Sequence, residues 1–166
     1  MSKFLHLMSA TAVTHSATAR MLIVADAVTA LITMQYKARF NRPRPTQVVP
    51  DSCRPSSTVG THHTRVVTTQ AHVFAALLTE VIPSSLGDPT SDGGTTIAKS
   101  LDVIAKRIAR NRELAGLHYP SDTAAGITLA QAITDKILLN GYLPRFTQLV
   151  NGARDEFSAR PSRPRD

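Results

Sequence analysis

Residues 111–122 read Asn-Arg-Glu-Leu-Ala-Gly-Leu-His-Tyr-Pro-Ser-Asp, and they join the end of one predicted helix to the beginning of the next. Gly116 is the residue type that most often follows a helix C-terminus, because it adopts a positive φ without strain. Ser121 is a favourable N-cap, and Asp122 would place a carboxylate in the first turn, where the helix dipole favours negative charge. The stretch predicts two helices joined by a short loop: Thr95–Ala115 and Asp122–Asn140.

Elsewhere in the chain, apolar residues recur at helical spacing between proline- and glycine-containing segments. One helix must end before Asn41-Arg42-Pro43-Arg44-Pro45, because each proline disfavours helix in the residue before it. Residues 46–68 lack periodicity and are predicted to form a loop. The remaining predicted helices are Ala17–Lys37, Thr69–Ile82 and one or two turns within Tyr142–Phe157.

These helices predict an all-α fold, a helical bundle at residues 1–150 followed by a basic, disordered tail at residues 151–166. The 166-residue chain is 42% hydrophobic and 19% charged, as expected for one globular domain. Its single cysteine, Cys53, excludes an intrachain disulfide and a cysteine-rich zinc site.

The charge and hydropathy of the chain limit the partners and the location that can be predicted for it. The formal net charge of +7 favours an anionic partner: phosphate, nucleic acid or a membrane surface. The longest apolar run, Met21–Met34, is interrupted by Asp26 and is shorter than a bilayer requires, so no transmembrane segment is predicted. Because the N-terminus is a poor signal peptide, a soluble, cytoplasmic protein is the default prediction.

The spacing of five side chains suits an anion-binding site. Lys37 precedes Arg44 by seven positions, Arg112 precedes His118 by six, and Asp122 follows His118 by four. A tetrahedral oxyanion needs several fixed cations, and arginine offers bidentate donors that match its oxygens. A neutral imidazole with one nitrogen held by a carboxylate is an oriented nucleophile or metal ligand. Taken singly, each residue also fits an ordinary structural role at a helix end or in a loop.

Together these residues resemble the motifs of the vanadium haloperoxidase / type 2 phosphatidic acid phosphatase superfamily, especially its soluble bacterial haloperoxidase-like branch. The family pattern is Lys-x6-Arg-Pro, then Pro-Ser-Gly-His, then Ser-Arg-x5-His-x3-Asp. The chain has Lys37-x6-Arg44-Pro45 and Asn111-Arg112-x5-His118-x3-Asp122, with Asn111 in place of the serine. The resemblance covers about residues 20–140 and implies the acid phosphatase/vanadium haloperoxidase fold. It also predicts an incomplete N-terminus, because family members generally have further helices before the lysine motif.

The resemblance implies a role for each matching residue. Lys37, Arg44 and Arg112 would bind the oxyanion. His118 would attack phosphorus or ligate the vanadium of vanadate, and Asp122 would orient His118. The substrate would be a phosphate ester, with no cofactor, or a halide and peroxide, with vanadate as the cofactor. The sequence leaves these two activities open.

The middle motif, Pro-Ser-Gly-His, is absent. Its position is held by Thr64-Arg65-Val66-Val67, which has no acid to protonate a leaving group. His72 is a candidate surrogate acid, although it lies about 140° round a helix from the expected histidine. His62 and His63 are nearer alternatives in the loop.

The genetic code suggests how the motif was lost. Read one base out of frame, Val59–Thr68 is compatible with Gly-His-Pro-Ser-Tyr-Pro-Ser-Gly-His. We interpret residues 52–68 as the product of two compensating frameshifts, in the gene or in its sequencing; an ordinary divergent loop is the alternative. The frameshift hypothesis predicts that this segment is exposed and the least ordered inside the chain, and that the second helix begins near Thr68 or Thr69.

The leading functional hypothesis is an oxyanion-binding domain of a phosphatase or vanadium-dependent haloperoxidase, of low or no activity as written. The alternative is a non-enzymatic basic helical protein that binds nucleic acid or another polyanion. The cations that would serve the alternative are Lys106, Arg107, Arg110, Arg112 and the tail. We expect no nucleic-acid partner, because the chain lacks regularly spaced aromatic residues and a recognisable nucleic-acid-binding motif.

Overall fold

The computed structural model describes residues 1–40, 43, 45–48, 66–83 and 97–158. These residues form helices and short connections without a strand among them, which confirms the predicted all-α class. A π-helical turn at Thr134–Leu138 directly follows the helix that ends at Ile133. The α-helices are α1 (Ser2–Leu7), α2 (Ser16–Phe40), α3 (Pro45–Val48), α4 (Val66–Val81), α5 (Ile97–Leu114), α6 (Pro120–Ile133) and α7 (Pro144–Ser158).

Helix α4 lies at the centre of the fold and packs against α2, α5, α6 and α7. Val73, Leu77 and Leu78 of this helix are fully buried. A helix that is apolar on most of its sides is stable only when neighbouring helices cover it. Helix α4 therefore contacts both α2, which carries Lys37, and α6, which carries Asp122.

The N-terminus of α2 is capped from α7. The carboxylate of Glu156 accepts the backbone N–H groups of Ala17 at 2.7 Å and Thr18 at 3.0 Å, and the Thr18 hydroxyl at 2.7 Å. The first N–H groups of a helix lack intrahelical partners, and the helix dipole favours a negative charge beside them. Burial raises the pKa of Glu156, but the hydrogen bonds from Ala17 and Thr18 outweigh it and leave that pKa below its ordinary value.

The predicted tail boundary at residue 150 is wrong, because it falls inside α7. Val150, Ala153 and Phe157 are buried, so the apolar face of this helix completes the core. Residues 151–158 consequently belong to the helical domain, whereas residues 159–166 lie outside the described part of the chain.

The structure differs from the prediction at other helices as well. The short helices α1 and α3 were not predicted, and α3 lies in the stretch expected to be loop. Helix α4 begins at Val66, two or three residues before the expected start. Of the segment attributed to a frameshift, residues 52–65 lie outside the described residues, so the disorder expected there remains a prediction. For residues 66–68 the expectation is wrong, because they form the first turn of α4 and Thr68 is buried.

Helix α2 is long and apolar enough, by length and composition alone, to cross a membrane. Its apolar window of 18 residues has a mean hydropathy of 1.5. Buried residues make up 39% of that apolar window, and buried core helices have the same composition. In the structure α2 packs against α4 and α7, and the Gln70 amide of α4 donates to the Asp26 carboxylate at 2.6 Å. The hydropathy of α2 is thus weak evidence for a membrane span, and the absence of a span remains a prediction.

Candidate functional site

The backbone before His118 is fixed by the C-terminal cap of α5. The Leu117 N–H donates to the Arg112 carbonyl at 3.0 Å, and the Gly116 N–H donates to the Glu113 carbonyl at 2.9 Å. These two bonds and the φ of +65° at Gly116 define a Schellman motif, which confirms the predicted helix end. The motif turns the chain inward, so that Leu117 and His118 are both buried.

The backbone after His118 is fixed by the N-terminal cap of α6. Pro120 is the first helical residue, a position where its missing N–H removes no hydrogen bond. Asp122 lies in the first turn, as predicted, and its Oδ2 accepts the Tyr119 N–H at 3.0 Å. Tyr119 is therefore the N-cap. The prediction of Ser121 was wrong, because Pro120 already has helical geometry one residue before it.

The ring of His118 is held from α4. Its Nδ1 lies 3.2 Å from the hydroxyl of Thr68, and both side chains are buried. Sequence reasoning missed this contact, because a threonine in the first turn of a helix carries no signal that sets it apart from the threonines around it. The predicted role of Asp122 in orienting His118 remains a prediction.

The close approach of α4 and α6 makes this contact possible. A Cβ atom on Gly126 of α6 would lie 3.3 Å from Thr69 Oγ1 and 3.4 Å from Thr68 Cγ2. Both distances are tight, so a glycine at this position lets the two helices meet beside His118. Gly126 has a packing role that the sequence analysis did not predict.

A cavity of about 930 Å³ opens beside His118. Lys37 from the last turn of α2, His118 from the loop and Asp122 from α6 all line it. Three of the predicted site residues, from distant parts of the sequence, therefore face one space. Along α6 the lining changes from polar residues at its start to apolar ones, with Leu129 and Ala132 the farthest along the helix.

Thr33 is a further polar residue that lines the cavity. Thr33 is 5% exposed, and its Oγ1 has no hydrogen-bond partner among the described residues. A buried hydroxyl without a partner costs about 1–3 kcal/mol. A polar ligand in the cavity would satisfy this hydroxyl, which lies one turn before Lys37 on the same helix.

Three other predicted site residues have different outcomes. Arg112 is half-buried in the last turn of α5, and the described lining of the cavity does not include it. Arg44 lies outside the described residues. His72 also does not belong to the described lining. Burial lowers the pKa of His72, which disfavours the protonated form that a general acid needs.

The cavity contains groups that can donate hydrogen bonds to an anion. Its described lining offers an ammonium group, an imidazole and the residues Thr33, Thr69 and Ser121, beside the Asp122 carboxylate and several apolar side chains. Within residues 1–40, 43, 45–48, 66–83 and 97–158, no group of three His, Cys, Asp or Glu side chains is arranged to hold a metal cation. Vanadate is itself an oxyanion, so it fits this donor set in the same way as phosphate does.

Comparison of the chain with protein-family models, with curated proteins and with solved structures finds no match. The family resemblance therefore rests on the two sequence motifs alone.

Proposed function

We propose that the cavity beside His118 binds a tetrahedral oxyanion, phosphate or vanadate. The observation that carries this proposal is the convergence of Lys37, His118 and Asp122 on one cavity. The Lys37 ammonium would supply positive charge, and the Thr33 and Thr69 hydroxyls would donate to the anion's oxygens. Asp122 would hold the backbone beside His118 rather than the anion, because its Oδ2 accepts the Tyr119 N–H and a carboxylate repels an oxyanion.

A phosphate ester bound there would meet His118 as a nucleophile. A P–N bond would form as the ester P–O bond breaks, and the leaving alkoxide would take a proton from an acid. The sequence at 64–67 supplies no acid, and general acid catalysis typically contributes about 10²–10⁴-fold in rate. We therefore propose that this chain binds the oxyanion but hydrolyses phosphate esters slowly.

Vanadate would be held by the same groups as phosphate. When bound, it would supply the activation of peroxide that halide oxidation requires. The contribution of the chain would be to hold the anion through Lys37 and His118, while the buried helix contacts around His118 limit the access of water. The same groups would therefore serve either activity.

The polyanion-binding alternative has less support. On the exposed face of α5, Lys106 pairs with Asp102 and Arg110 pairs with Glu113, both at no more than 2.8 Å. These carboxylates offset part of the positive charge that a nucleic acid would contact.

The proposal is tested by titrating the protein with orthovanadate and with phosphate in isothermal calorimetry. We expect saturable binding that weakens about tenfold in Lys37→Gln, equivalent to about 1.4 kcal/mol. Lys106→Gln is the matched control, because it removes the same charge from a side chain that is 67% exposed on α5. Equal weakening in both variants, or no saturable binding, would refute an oxyanion site in the cavity. A salt-sensitive gel shift with duplex DNA, reduced by Lys106→Gln, would instead support the polyanion-binding alternative.

A further inference from the structure

The contact between Thr68 and His118 bears on which ring nitrogen of His118 carries the proton. Thr68 is 1% exposed and His118 is 3% exposed, so water has little access to the 3.2 Å contact between Oγ1 and Nδ1. A neutral imidazole is protonated on one of its two nitrogens, and the hydrogen bond made by one nitrogen decides which. We propose that Thr68 is a positioning residue: its hydroxyl oxygen accepts the Nδ1–H of His118, which leaves a lone pair on Nε2.

The direction of this hydrogen bond rests on the proposed function. Only a nitrogen with a lone pair can attack phosphorus or ligate vanadium, and Nδ1 is already engaged by Thr68. A threonine hydroxyl can accept at its oxygen while it directs its own hydrogen elsewhere. In the opposite arrangement the hydroxyl would donate to Nδ1 and the proton would lie on Nε2. His118 could then hydrogen-bond an oxyanion but could not act as a nucleophile.

The packing around Thr68 supports a fixed geometry. The β-branched side chain of threonine has few χ1 rotamers in a helix. Its methyl carbon lies against Gly126, where an added Cβ would approach it to 3.4 Å. The Schellman motif and the α6 cap hold His118 from the other side. Because both partners are held independently, the contact between Thr68 Oγ1 and His118 Nδ1 has a fixed geometry.

The test is ¹⁵N NMR of histidine-labelled protein at a pH where His118 is neutral. The imidazole ¹⁵N shifts report the tautomer directly, and His118→Gln identifies the His118 signals. We expect the Nδ1–H tautomer in the wild type and in Thr68→Ser, which keeps the hydroxyl. In Thr68→Val we expect the Nδ1–H to Nε2–H ratio to fall about fivefold, as the loss of one hydrogen bond implies. The control is Thr29→Val, which makes the same change at a fully buried threonine of a different helix, α2.

Two results would overturn the inference: an Nε2–H tautomer in the wild type, or an unchanged tautomer in Thr68→Val. Circular dichroism checks that each variant folds, and Thr68→Ala is a smaller second replacement if Thr68→Val does not. Adding orthovanadate separates the two proposals. A tautomer that depends on Thr68 without any vanadate response supports the inference and refutes the oxyanion site. A saturable vanadate response together with a tautomer that is unchanged in Thr68→Val supports the oxyanion site and refutes the inference.

Discussion

Replacing Gly116 with alanine tests how strongly the α5 cap positions His118. Gly116 has a φ of +65°, and a residue with a Cβ atom costs about 1–2 kcal/mol in that left-handed region. For a protein of this size each 1 kcal/mol lowers Tm by about 2–4 °C, so the expected loss is about 2–8 °C. The same strain would disturb the hydrogen bond from Leu117 to the Arg112 carbonyl, which directs the chain into the core one residue before His118. We therefore expect Gly116→Ala to weaken orthovanadate binding about tenfold or more.

Gly141→Ala is the matched control for this variant. Gly141 has a φ of +81°, and nothing lies within 4 Å of the position that its Cβ would take. Its substitution adds the same backbone strain in the connection to α7, away from the cavity. Thermal denaturation should show similar losses of stability in the two variants, whereas calorimetry should show weaker vanadate binding only in Gly116→Ala. If Gly116→Ala retained full affinity at a reduced Tm, the cap would not position His118. If Gly141→Ala lost as much affinity, the loss would reflect stability alone.

Three more substitutions test the packing and capping of the helices. Thr29→Val should raise the free energy of unfolding by about 1 kcal/mol, because Thr29 Oγ1 is buried without a hydrogen-bond partner among the described residues. A lower free energy of unfolding in urea denaturation would contradict this. Glu156→Gln should lower the free energy of unfolding by about 1 kcal/mol at pH 7, because charged hydrogen bonds to the start of α2 are lost. The pKa of Glu156 is lowered by folding, so its contribution is present above the ordinary value of 4.5 and is lost as the pH falls through the folded-state pKa. The two stability curves should therefore converge in acid, and a constant difference would refute the cap. Gly126→Val should lower the free energy of unfolding by about 1–3 kcal/mol, because it forces α6 away from Thr69 and Thr68. An unchanged free energy of unfolding would show that the two helices can separate freely.

The all-α class could be predicted because the helical periodicity is local. The end of α5 was also predictable, since Gly116 alone supplies the positive φ that the Schellman motif requires. The start of α6 was harder. Ser121 and Asp122 both suit a helix N-terminus, and Pro120 shifts the cap back to Tyr119. The tail boundary failed because its apolar residues, such as Phe157, are too few to indicate burial until the core they complete is known.

The residues of the candidate site also differ in how far they could be predicted from the sequence. Charged residues at motif spacing, such as Lys37 and His118, could be selected from the sequence because their spacing matches two motifs of one family, although each residue alone also fits a structural role. The threonines could not. Thr33 and Thr68 matter only through what tertiary packing places beside them, and their hydroxyls resemble those of many other threonines in the chain. His72 could be doubted from helical geometry alone, and the structure gives it different charged neighbours, Asp102 and Lys106 of α5.

The most direct test of the central claim is a crystal structure of the protein soaked with tungstate, an anomalously scattering analogue of phosphate and vanadate. We predict an anomalous peak in the cavity, within hydrogen-bond distance of the Lys37 ammonium and of His118 Nε2, with an oxygen that reaches the Thr33 hydroxyl. Peaks confined to the exposed cations of α5, with the cavity empty at saturating tungstate, would contradict the claim.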